Sequence, residues 1–575
     1  MNENRQNIYK KRVGPATFKE REEALFADFP NYSDSLGYKV ANLDKAKDII
    51  MECLDGIIRV FGDYDTDGMT STRELVMLLD PLLPADIKYY IPRRESDGYG
   101  ITPDLLKREL PELTIEHRNR DALLITVDNG IAAAEAVKYA KESGWKVLII
   151  DHHLPAKEDD GVTIIHPPAD VIVDPHYTGE SDFISYCAAG LVLKLAQFMY
   201  GDSDDDQTMK KIHSLAAIGT VADCVPLIEK VNGHNSYDNY IIVRKGLETL
   251  RQNDGTTVGL YCLLRAINRE YAITETDIAY SLAPTMNAMS RMEDNGAQFV
   301  FDLLGRTSDY TLCDNMAQRC VDANKDRKNF TASAIPILKE RIESGGHESD
   351  YPIIVVANEG EVHPGIIGLV AGNLSAAYNS MVIVLGYDAD GKTLRGSGRA
   401  PEGCDLKSAL DAVKEHLGKY GGHTAAAGVS LPADNLKGFT EAIQKYCGDK
   451  PEALFDRYYD YDISENQIAG EIAIAKQYAP FGMGHTPPIY KIAFECEKRQ
   501  PFTVMGAAKN MLRLNGRFAN AVDFTGNILP KYEGLVPKYE GLGHPVKINV
   551  YGTLNENIYN GKTSNQIMIN DLEAL

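Results

Sequence analysis

Short apolar runs alternate with amphipathic stretches from about residue 45 onward. The runs at 57–62, 122–128 and 145–151 each predict a buried strand. Helical patterns, TRELVMLLDPLL and AAAEAVKYAKES, follow the first two of them. This alternation predicts an α/β fold with a doubly wound sheet of parallel strands. In such a sheet, chemically active side chains gather at the carboxyl ends of the strands.

The pattern of the chain changes further along. Residues 226–345 are mostly helical in pattern, and SGGHESD (344–350) predicts a linker. Short alternating stretches after about residue 455 predict a small β-barrel, with a duplicated surface loop at 529–534 and 536–541. The predicted organisation is an N-terminal extension (1–44), a parallel-sheet domain (45–225), a helical connector (226–345), a smaller α/β domain (346–450) and the C-terminal barrel (451–575).

Composition places the chain among soluble globular proteins. Its 575 residues suffice for three or four domains at about 150 residues each. No apolar run of about 18 residues predicts a membrane-spanning helix, and the polar N-terminus lacks a secretory signal. The nine cysteines are scattered without a CxxC pair, which argues against structural zinc and favours reduced thiols in the cytoplasm.

The chain is strongly acidic. It has 60 Lys and Arg against 82 Asp and Glu, a net charge of −22. Such a charge repels nucleic acid at long range, although a local basic groove is compatible with it. We expect the acidic run Asp202, Asp204, Asp205 and Asp206 to form a solvated loop.

The sharpest local feature is the acidic segment GDYDTDG (62–68), directly after a predicted strand. Three carboxylates so close together repel one another unless cations lie between them. The spacing also resembles an EF-hand loop, with Glu74 at its twelfth position. The segment before it is a strand rather than a helix, so calcium is the weaker alternative.

Three more motifs close apolar stretches: TVDNG (126–130), DHH (151–153) and GTVAD (219–223). Each alone is weak, because an Asp at a strand end is a common helix N-cap. Together they bring several carboxylates and a histidine to one edge of the predicted sheet. This set suits two Mn²⁺ or Mg²⁺ ions, which in pairs activate water for phosphoryl transfer.

The motifs DYDTDG, VDNG, DHH and GTVAD resemble the four motifs of the DHH phosphoesterase superfamily. Branches that act on small substrates usually have a His at the position of Phe61, so Phe61 favours the RecJ exonuclease branch. Further segments are similar to that branch in the same order, over about residues 45–500: YIP with Arg94 and GYG (90–100), PTMNA with Arg291 (284–291), HPGIIG (363–368), GSGR (396–399), GGH (421–423) and PFGMG (480–484).

The resemblance implies roles for the acidic and histidine residues. Asp65 and Asp67 each hold one metal ion, Asp128 bridges both, His152 and Asp223 complete the second site, and Asp63 assists the first. His153 lies near the scissile phosphate or orients His152. The resemblance also makes 45–225 a DHH domain, 346–450 a DHHA1 substrate-binding domain and 451–575 an OB-fold-like domain.

The same resemblance implies a substrate-binding set: Arg94, Arg291, Ser397, Arg399, Gly421, Gly422 and His423. Arginine binds phosphate with a planar fork, and glycine lets backbone N–H groups approach it. Aromatic residues of the barrel, Phe518, Phe524, Tyr532, Tyr539 and Tyr551, are available for base stacking. Ser290 replaces the usual glycine of the branch, and we expect it to crowd the loop that carries Arg291.

The expected function is 5′→3′ hydrolysis of single-stranded DNA to 5′-mononucleotides, in DNA repair and recombination. Single-strand-binding protein and a helicase are expected partners by the resemblance. Two alternatives stay open. One is a phosphodiesterase for short oligoribonucleotides or cyclic dinucleotides, which the acidic charge suits. The other is a nonenzymatic relative, although this chain keeps every motif carboxylate.

Overall fold

A computed structural model describes most of the chain: residues 9–27, 29, 39–81, 83–113, 121–157, 163–203, 206–231, 233–252, 255–388, 390–451, 457–497, 502–506, 511–526, 528–529, 547–559 and 562–574. The chain divides into two compact units. The first comprises residues 28–329 and 480–486, and the second comprises 1–27, 330–479 and 487–575. The second unit therefore includes the first two elements, β1 (Tyr9–Lys11) and α1 (Phe18–Leu25).

The first unit contains the predicted parallel sheet. Its strands are β2 (Ile57–Phe61), β3 (Asp86–Tyr90), β4 (Ala122–Val127), β5 (Lys146–Ile150) and β6 (Val171–Val173). Their order is β3-β2-β4-β5-β6, and every neighbouring pair is parallel. The three apolar runs identified in the sequence form the three central strands, which confirms that prediction.

Helices cover both faces of this sheet, as the doubly wound fold requires. They are α2 (Leu43–Glu52), α3 (Thr66–Leu79), α4 (Pro103–Glu109), α5 (Ala134–Glu142), α6 (Pro175–Thr178), α7 (Ala188–Tyr200) and α8 (Gln207–Ala222). One core joins α2, α3, α7 and α8 to the sheet, and the other joins α4 and α5 around the buried Trp145. Apolar side chains on both faces keep the central strands dry.

A hairpin and a run of helices complete the first unit. They are β7 (Glu229–Val231), β8 (His234–Ser236), α9 (Asp238–Leu250), α10 (Val258–Ala266), α11 (Glu275–Asp277), a π-helical turn (Ile278–Leu282), α12 (Ala283–Met292), α13 (Gly296–Gly305) and α14 (Tyr310–Gly345). The long helix α14 continues into the second unit. Within the described part of the chain, no helix has the length and apolarity needed to span a bilayer.

The second unit begins with a mixed sheet. Its elements are β9 (Ile353–Ala357), α15 (Ile367–Tyr378), β10 (Val382–Tyr387), β11 (Thr393–Arg399), α16 (Leu406–Asp411), β12 (Tyr420–Gly422), β13 (Ala426–Pro432) and α17 (Leu436–Cys447). The strand order is β12-β13-β11-β10-β9. Only β9 and β10 are parallel, and the other pairs are antiparallel.

A seven-stranded sheet forms the C-terminal part of this unit. Its elements are β15 (Tyr461–Ser464), α18 (Ile468–Tyr478), β16 (Tyr490–Glu495), β17 (Phe502–Met505), β18 (Met511–Asn515), β19 (Asn520–Asp523), β20 (Lys547–Tyr559) and β21 (Lys562–Ala574), and the short β14 (Arg457–Tyr459) precedes them. The order is β15-β16-β20-β21-β19-β18-β17. Strand β1 pairs with β14, and Tyr9 stacks on Tyr551 with ring centroids 3.9 Å apart.

The expectation of a solvated acidic loop was wrong for Asp202. Its carboxylate lies 2.7 Å from His213 Nε2 and 2.8 Å from Lys245 Nζ. Asp206 accepts the Met209 N–H at 2.9 Å and caps α8. Asp204, Asp205 and, apart from Leu529, the duplicated loop lie outside the described residues.

Candidate functional site

A tight turn after β2 concentrates the first carboxylates. Asp65 accepts the Gly68 N–H at 3.0 Å and so caps α3. A Cβ on Gly68 would lie 2.6 Å from Asp63 Cβ, so only glycine fits the turn. A strand precedes the acidic segment and α3 begins at Thr66, the fourth position of the supposed loop, so the segment is not the twelve-residue loop between two helices that an EF-hand needs.

Asp67 is held by another helix. Its carboxylate oxygens accept the backbone N–H groups of Ala188 at 2.8 Å and Ala189 at 3.0 Å, both in the first turn of α7. The positive end of a helix dipole favours a negative charge there. Asp67 is therefore fixed by backbone donors that no motif in the sequence reveals.

Asp128 follows β4 in a left-handed conformation, with φ of 63°. Its neighbour Asn129 donates to the carbonyls of Gly62 at 3.0 Å and Val127 at 2.9 Å. This side chain ties the carboxyl ends of β2 and β4 together. The hydrogen bonds of Asn129 thus place Asp128 beside the acidic turn.

His152 and Asp223 complete the set. The distances from His152 Nε2 are 3.1 Å to Asp128 Oδ1, 3.8 Å to Asp67 Oδ2 and 3.8 Å to Asp223 Oδ2. Asp223 is the C-cap of α8, so it reaches this group from the end of a helix, whereas Asp128 and His152 follow strands.

The six predicted ligands thus meet in one place, in two groups that could each hold a metal ion. One group is Asp63, Asp65 and Asp128, and the other is Asp67, His152 and Asp223; within each, ligand atoms lie within 4.8 Å of one another. Asp128 also groups with His152 and His153, so the groups adjoin around Asp128.

The buried carboxylates of this centre raise one another's pKa values. Burial and then the neighbouring carboxylates raise the pKa of Asp67 to about 6, and the same causes raise the pKa values of Asp63, Asp128 and Asp223 well above the ordinary range. Among the residues that the structure describes, Asp63 Oδ1 is buried without a hydrogen-bond partner. Carboxylates that repel one another away from water are stabilised by divalent cations, so the donor set fits hard ions.

Asp151 is a residue to which the sequence analysis gave no role. Its carboxylate accepts the Ile131 N–H at 2.9 Å and the His152 N–H at 2.8 Å, and it lies 2.8 Å from His153 Nδ1. Burial lowers the pKa of His153, but the hydrogen bond and charge of Asp151 outweigh it and raise that pKa to about 9. His153 therefore carries a positive charge at neutral pH, with Tyr99 Oη 3.1 Å from its Nε2.

Arg94 and Arg291 flank the same turn. The Arg94 guanidinium lies 4.1 Å from the centroid of the Tyr64 ring, and both arginines counter the rise in the pKa of Tyr64 that burial and Asp63 cause. Among the described residues no carboxylate pairs with Arg94. Asp294 holds the Arg94 loop through the Ser96 hydroxyl at 2.7 Å.

Arg291 lies on α12 rather than on a loop. Ser290 is buried in the same helix and donates its hydroxyl to the Asn287 carbonyl at 3.2 Å. The expectation that Ser290 crowds a loop was wrong, because the hydroxyl is accommodated along the helix.

The second unit brings its predicted substrate residues together on three adjacent strands. Ser397 on β11 pairs with Gly428 on β13, which in turn pairs with Gly421 on β12. Arg399 Nη1 donates to Ser397 Oγ at 2.5 Å and to the Gly398 carbonyl at 2.8 Å. Within the described residues Arg399 has no carboxylate partner, and burial lowers its pKa.

Glycine opens this edge. A Cβ on Gly421 would meet nothing within 4 Å, whereas one on Gly368 would lie 2.6 Å from Arg399 Nη2. Gly422 has φ of 141°, and the His423 N–H that follows donates to Ala426 O at 2.8 Å. Among the described residues, no side chain covers the Cβ position of Gly421, so an anion can approach the backbone there.

In the C-terminal sheet, Phe518 and Phe524 are each about half exposed, with Arg517 5.4 Å from the Phe518 ring. Tyr551 is buried against Tyr9, so it is not available to a ligand. Tyr532 and Tyr539 lie outside the described residues.

Comparisons with known proteins agree with this architecture. Residues 57–220 match the DHH family N-terminal domain, residues 350–449 match the DHHA1 domain, and residues 459–571 match the RecJ OB domain. The crystal structure of RecJ in complex with Mn²⁺ from Thermus thermophilus has a TM-score of 0.73 and 23% identity, over 99% of this chain and 80% of that one. That likeness shows the fold.

Relatives of closer sequence extend the comparison. The single-stranded-DNA-specific exonuclease RecJ of Bacillus subtilis (strain 168) is 30% identical over 95% of this chain, which spans 64% of the length of that relative. The protein of the same name from Escherichia coli (strain K12) is 30% identical over 79% of this chain and 78% of its own length. With an α/β fold of DHH, DHHA1 and OB domains, the chain belongs to the RecJ family of single-stranded-DNA-specific exonucleases.

Proposed function

We propose that this protein is a metal-dependent exonuclease that hydrolyses single-stranded DNA from its 5′ end and releases 5′-mononucleotides. The observation that carries the proposal is the pair of adjoining ligand groups around Asp128. Family membership supports the nuclease activity, and the arginine and glycine residues described above support recognition of a terminal phosphate.

The two groups would hold two Mn²⁺ or Mg²⁺ ions. Asp63, Asp65 and Asp128 would form one site, and Asp67, His152 and Asp223 the other. A pair of such ions supplies a water nucleophile at neutral pH and stabilises charge on the phosphoryl oxygens. The orphaned, buried Asp63 Oδ1 is consistent with direct ligation by this residue.

His153 stabilises the scissile phosphate in this proposal. Because Asp151 keeps it protonated, it donates a hydrogen bond to a phosphoryl oxygen and offsets the charge that develops in the transition state. Asp151 holds the ring at Nδ1, and Nε2, which lies 3.1 Å from Tyr99 Oη, is the nitrogen that would face the substrate. The oxygen of water would form a bond to phosphorus as the bond from phosphorus to the 3′-oxygen of the first nucleotide breaks, and the proton lost by water balances the 3′-hydroxyl that leaves.

Within each unit separately, we assign contacts to substrate phosphate: Arg94 and Arg291 in the first unit, and Ser397, Arg399, Gly421, Gly422 and His423 in the second. Arginines without a carboxylate partner are suited to a ligand phosphate. Arg94 and Arg399 meet that condition in the described residues, as noted above. An exonuclease needs such contacts because only the end of a strand carries a monoester phosphate.

The proposal includes a cytoplasmic setting in DNA repair and recombination. All nine cysteines are free, which is consistent with a reducing compartment. Single-strand-binding protein and a helicase are proposed partners that rest on family membership alone.

The decisive experiment uses long single-stranded DNA labelled at either end, with Mn²⁺ or Mg²⁺ and with a chelator. We expect mononucleotides from the 5′ end, only with metal, and none from Asp128→Ala. Hydrolysis of dinucleotides without cleavage of the long strand would contradict the proposal and move the protein to the small-substrate branch. Lack of all metal-dependent hydrolysis would identify a nonenzymatic relative.

A further inference from the structure

Asn239, the second residue of α9, has a buried side-chain amide that joins two separate segments. Its Nδ2 donates to the Ser185 carbonyl at 2.6 Å and to the Pro226 carbonyl at 2.9 Å. Both amide hydrogens are thus directed at backbone oxygens that have no place in a helix or strand. Each of these segments leads to a residue of the Asp67, His152 and Asp223 group.

The first segment leads to the backbone donors that bind Asp67. Ser185 stands three residues before Ala188, whose N–H, with that of Ala189, binds the Asp67 carboxylate. The intervening Tyr186 donates its hydroxyl to Asp238, the residue before Asn239, and Lys194 Nζ lies 2.9 Å from the same carboxylate. The start of α9 therefore sets where the donors of Asp67 lie.

The second segment leads to Asp223. Pro226 stands three residues after Asp223, and the next residue, Leu227, accepts the Tyr240 N–H at 3.0 Å. Two consecutive residues of α9 thus bind two consecutive carbonyls of this segment. Asp223 itself is anchored to the last turn of α8 through its N–H, which donates to the Gly219 carbonyl at 2.9 Å, and the contacts with α9 hold the residues that follow it.

We propose that Asn239 is a positioning residue for the Asp67, His152 and Asp223 metal site, because one amide sets the spacing between the segments that carry Asp67's donors and Asp223. The inference rests on the proposed function, in which that group holds an ion. Ligand geometry must be kept to about 0.5 Å for tight binding. Loss of the amide removes its hydrogen bonds to two partly buried carbonyls, and the two segments then relax independently.

The test titrates metal-free protein with Mn²⁺ alone and counts bound ions by electron paramagnetic resonance and calorimetry. Asn239→Leu keeps the shape and removes both donors, and Asn239→Ser keeps one donor in a smaller side chain. We expect one of two ions to bind about 10–100-fold more weakly in the Leu variant, less so in the Ser variant, with the other ion unaffected. The Ser variant decides the matter if the Leu variant does not fold.

Asp202→Asn is the matched control. Asp202 bonds to His213 on α8 and Lys245 on α9, the same two helices, but touches none of the six ligands. We expect it to lower the melting temperature and to leave both Mn²⁺ affinities unchanged. A comparable loss of affinity in Asp202→Asn would overturn the proposal, since general loosening of the helices would then explain the effect.

Asp67→Asn distinguishes failure of the Asn239 positioning role from failure of the proposed metal site. If Asp67→Asn loses one ion while Asn239→Leu and Asn239→Ser bind both normally, the positioning role is wrong and the proposed metal site stands. If Asp67→Asn itself binds two ions with unchanged affinity, the proposed site is wrong.

Discussion

Two sheet edges carry the polar chemistry of this protein, and they hold it in opposite ways. At the edge of the parallel sheet, Asp63, Asp67, Asp128 and Asp151 are each at most 2% exposed. In the mixed sheet, Ser397 and Arg399 on the central strand β11 are partly exposed and Gly421 on the edge strand β12 is exposed, and we call this region the open edge. The first edge buries repelling charges behind fixed donors, whereas the second leaves backbone open to solvent.

The difference indicates that metal binding and phosphate binding place opposite demands on the two regions. Buried carboxylates are costly on their own, so they are useful where ions stabilise them and water is excluded. A phosphate that must enter and leave needs an accessible surface with few side chains in the way. We therefore expect substitutions at the first edge to affect metal and turnover, and those at the second to affect substrate binding.

Removal of Asp128 should have the largest effect, because it adjoins both ligand groups. Asp128→Asn should reduce turnover by at least about 100-fold, the upper end of losses seen when mere supporting partners of ligands are removed. Single-turnover cleavage of 5′-phosphorylated single-stranded DNA measures this. Asp104→Asn, on an exposed side chain of α4, is the control and should behave as wild type. A rise in KM with unchanged turnover would contradict the division between the two edges.

Asp151→Asn should have the next largest effect, about 10–100-fold on turnover. Without the carboxylate, the pKa of His153 should drop from about 9 toward its ordinary value of about 6.5. The imidazolium would then be lost between those values, so the defect should grow from pH 6.5 to 9. Carbon-13 spectra of labelled histidines in metal-free protein measure the shift directly.

The control for that measurement is Asp350→Asn, which removes the exposed partner 2.8 Å from His347 and should leave the His153 resonance in place. An unchanged titration of His153 in Asp151→Asn would refute the role given to Asp151.

At the open edge the effect should be smaller and of another kind. Gly421→Ala meets nothing within 4 Å in the protein, so stability should be unchanged. The added methyl group should obstruct a bound phosphate and raise KM by about tenfold. Turnover at saturation and Mn²⁺ affinity should stay at wild-type values, which steady-state kinetics and metal titration check.

Gly422→Ala is the contrasting variant on the same strand. Its Cβ would lie 2.3 Å from the Ala426 carbonyl oxygen, and its φ of 141° is strained for alanine, so we expect a loss of stability. If Gly421→Ala were equally destabilised, its effect on KM would carry no information about substrate.

The sequence predicted the metal centre better than its supports. An apolar run followed by Asp locates Asp63 and Asp128 at strand ends, since chain order and strand parallelism determine that edge. Asp223 was predicted only to close an apolar stretch, and the structure shows that this stretch is the end of the helix α8. The backbone donors to Asp67 and the amide of Asn239 depend on helix packing, which no local pattern encodes.

The open edge was predicted by motif alone. GSGR and GGH indicated glycine-rich backbone near arginine, yet neither the pairing of Ser397 with Gly428 nor the closeness of Gly368 to Arg399 can be derived from spacing. Register between distant strands is a tertiary property. The same holds for the N-terminal strand β1, whose partner β14 lies more than 400 residues further along the chain.

The smallest predicted effect is on stability rather than activity. It contrasts the buried carboxyl of Asp174 with the exposed carboxyl of Asp405. Asp174 follows β6 and accepts the His176 N–H at 2.8 Å, but its Oδ2 is buried without a partner. Burial and then Asp151 raise the pKa of Asp174 to about 8. A raised carboxyl pKa means that the folded state binds the proton more tightly, so its stabilising contribution is present below about pH 4 and is lost as the pH rises through 8.

Asp174→Asn keeps the helix cap and removes this titration, so the variant should gain on wild type as the pH rises from 4 to 8. A gain of a few degrees in melting temperature is expected, since 1 kcal/mol corresponds to about 2–4 °C for a domain of 150–250 residues. Asp405 caps α16 in the second unit, and the hydrogen bond from the Ser408 N–H lowers its pKa. Asp405→Asn should therefore show no gain in melting temperature between pH 4 and 8. Scanning calorimetry of the metal-free variants distinguishes the two signs, and an Asp174→Asn difference that is constant with pH would mean that this buried carboxyl does not titrate with folding.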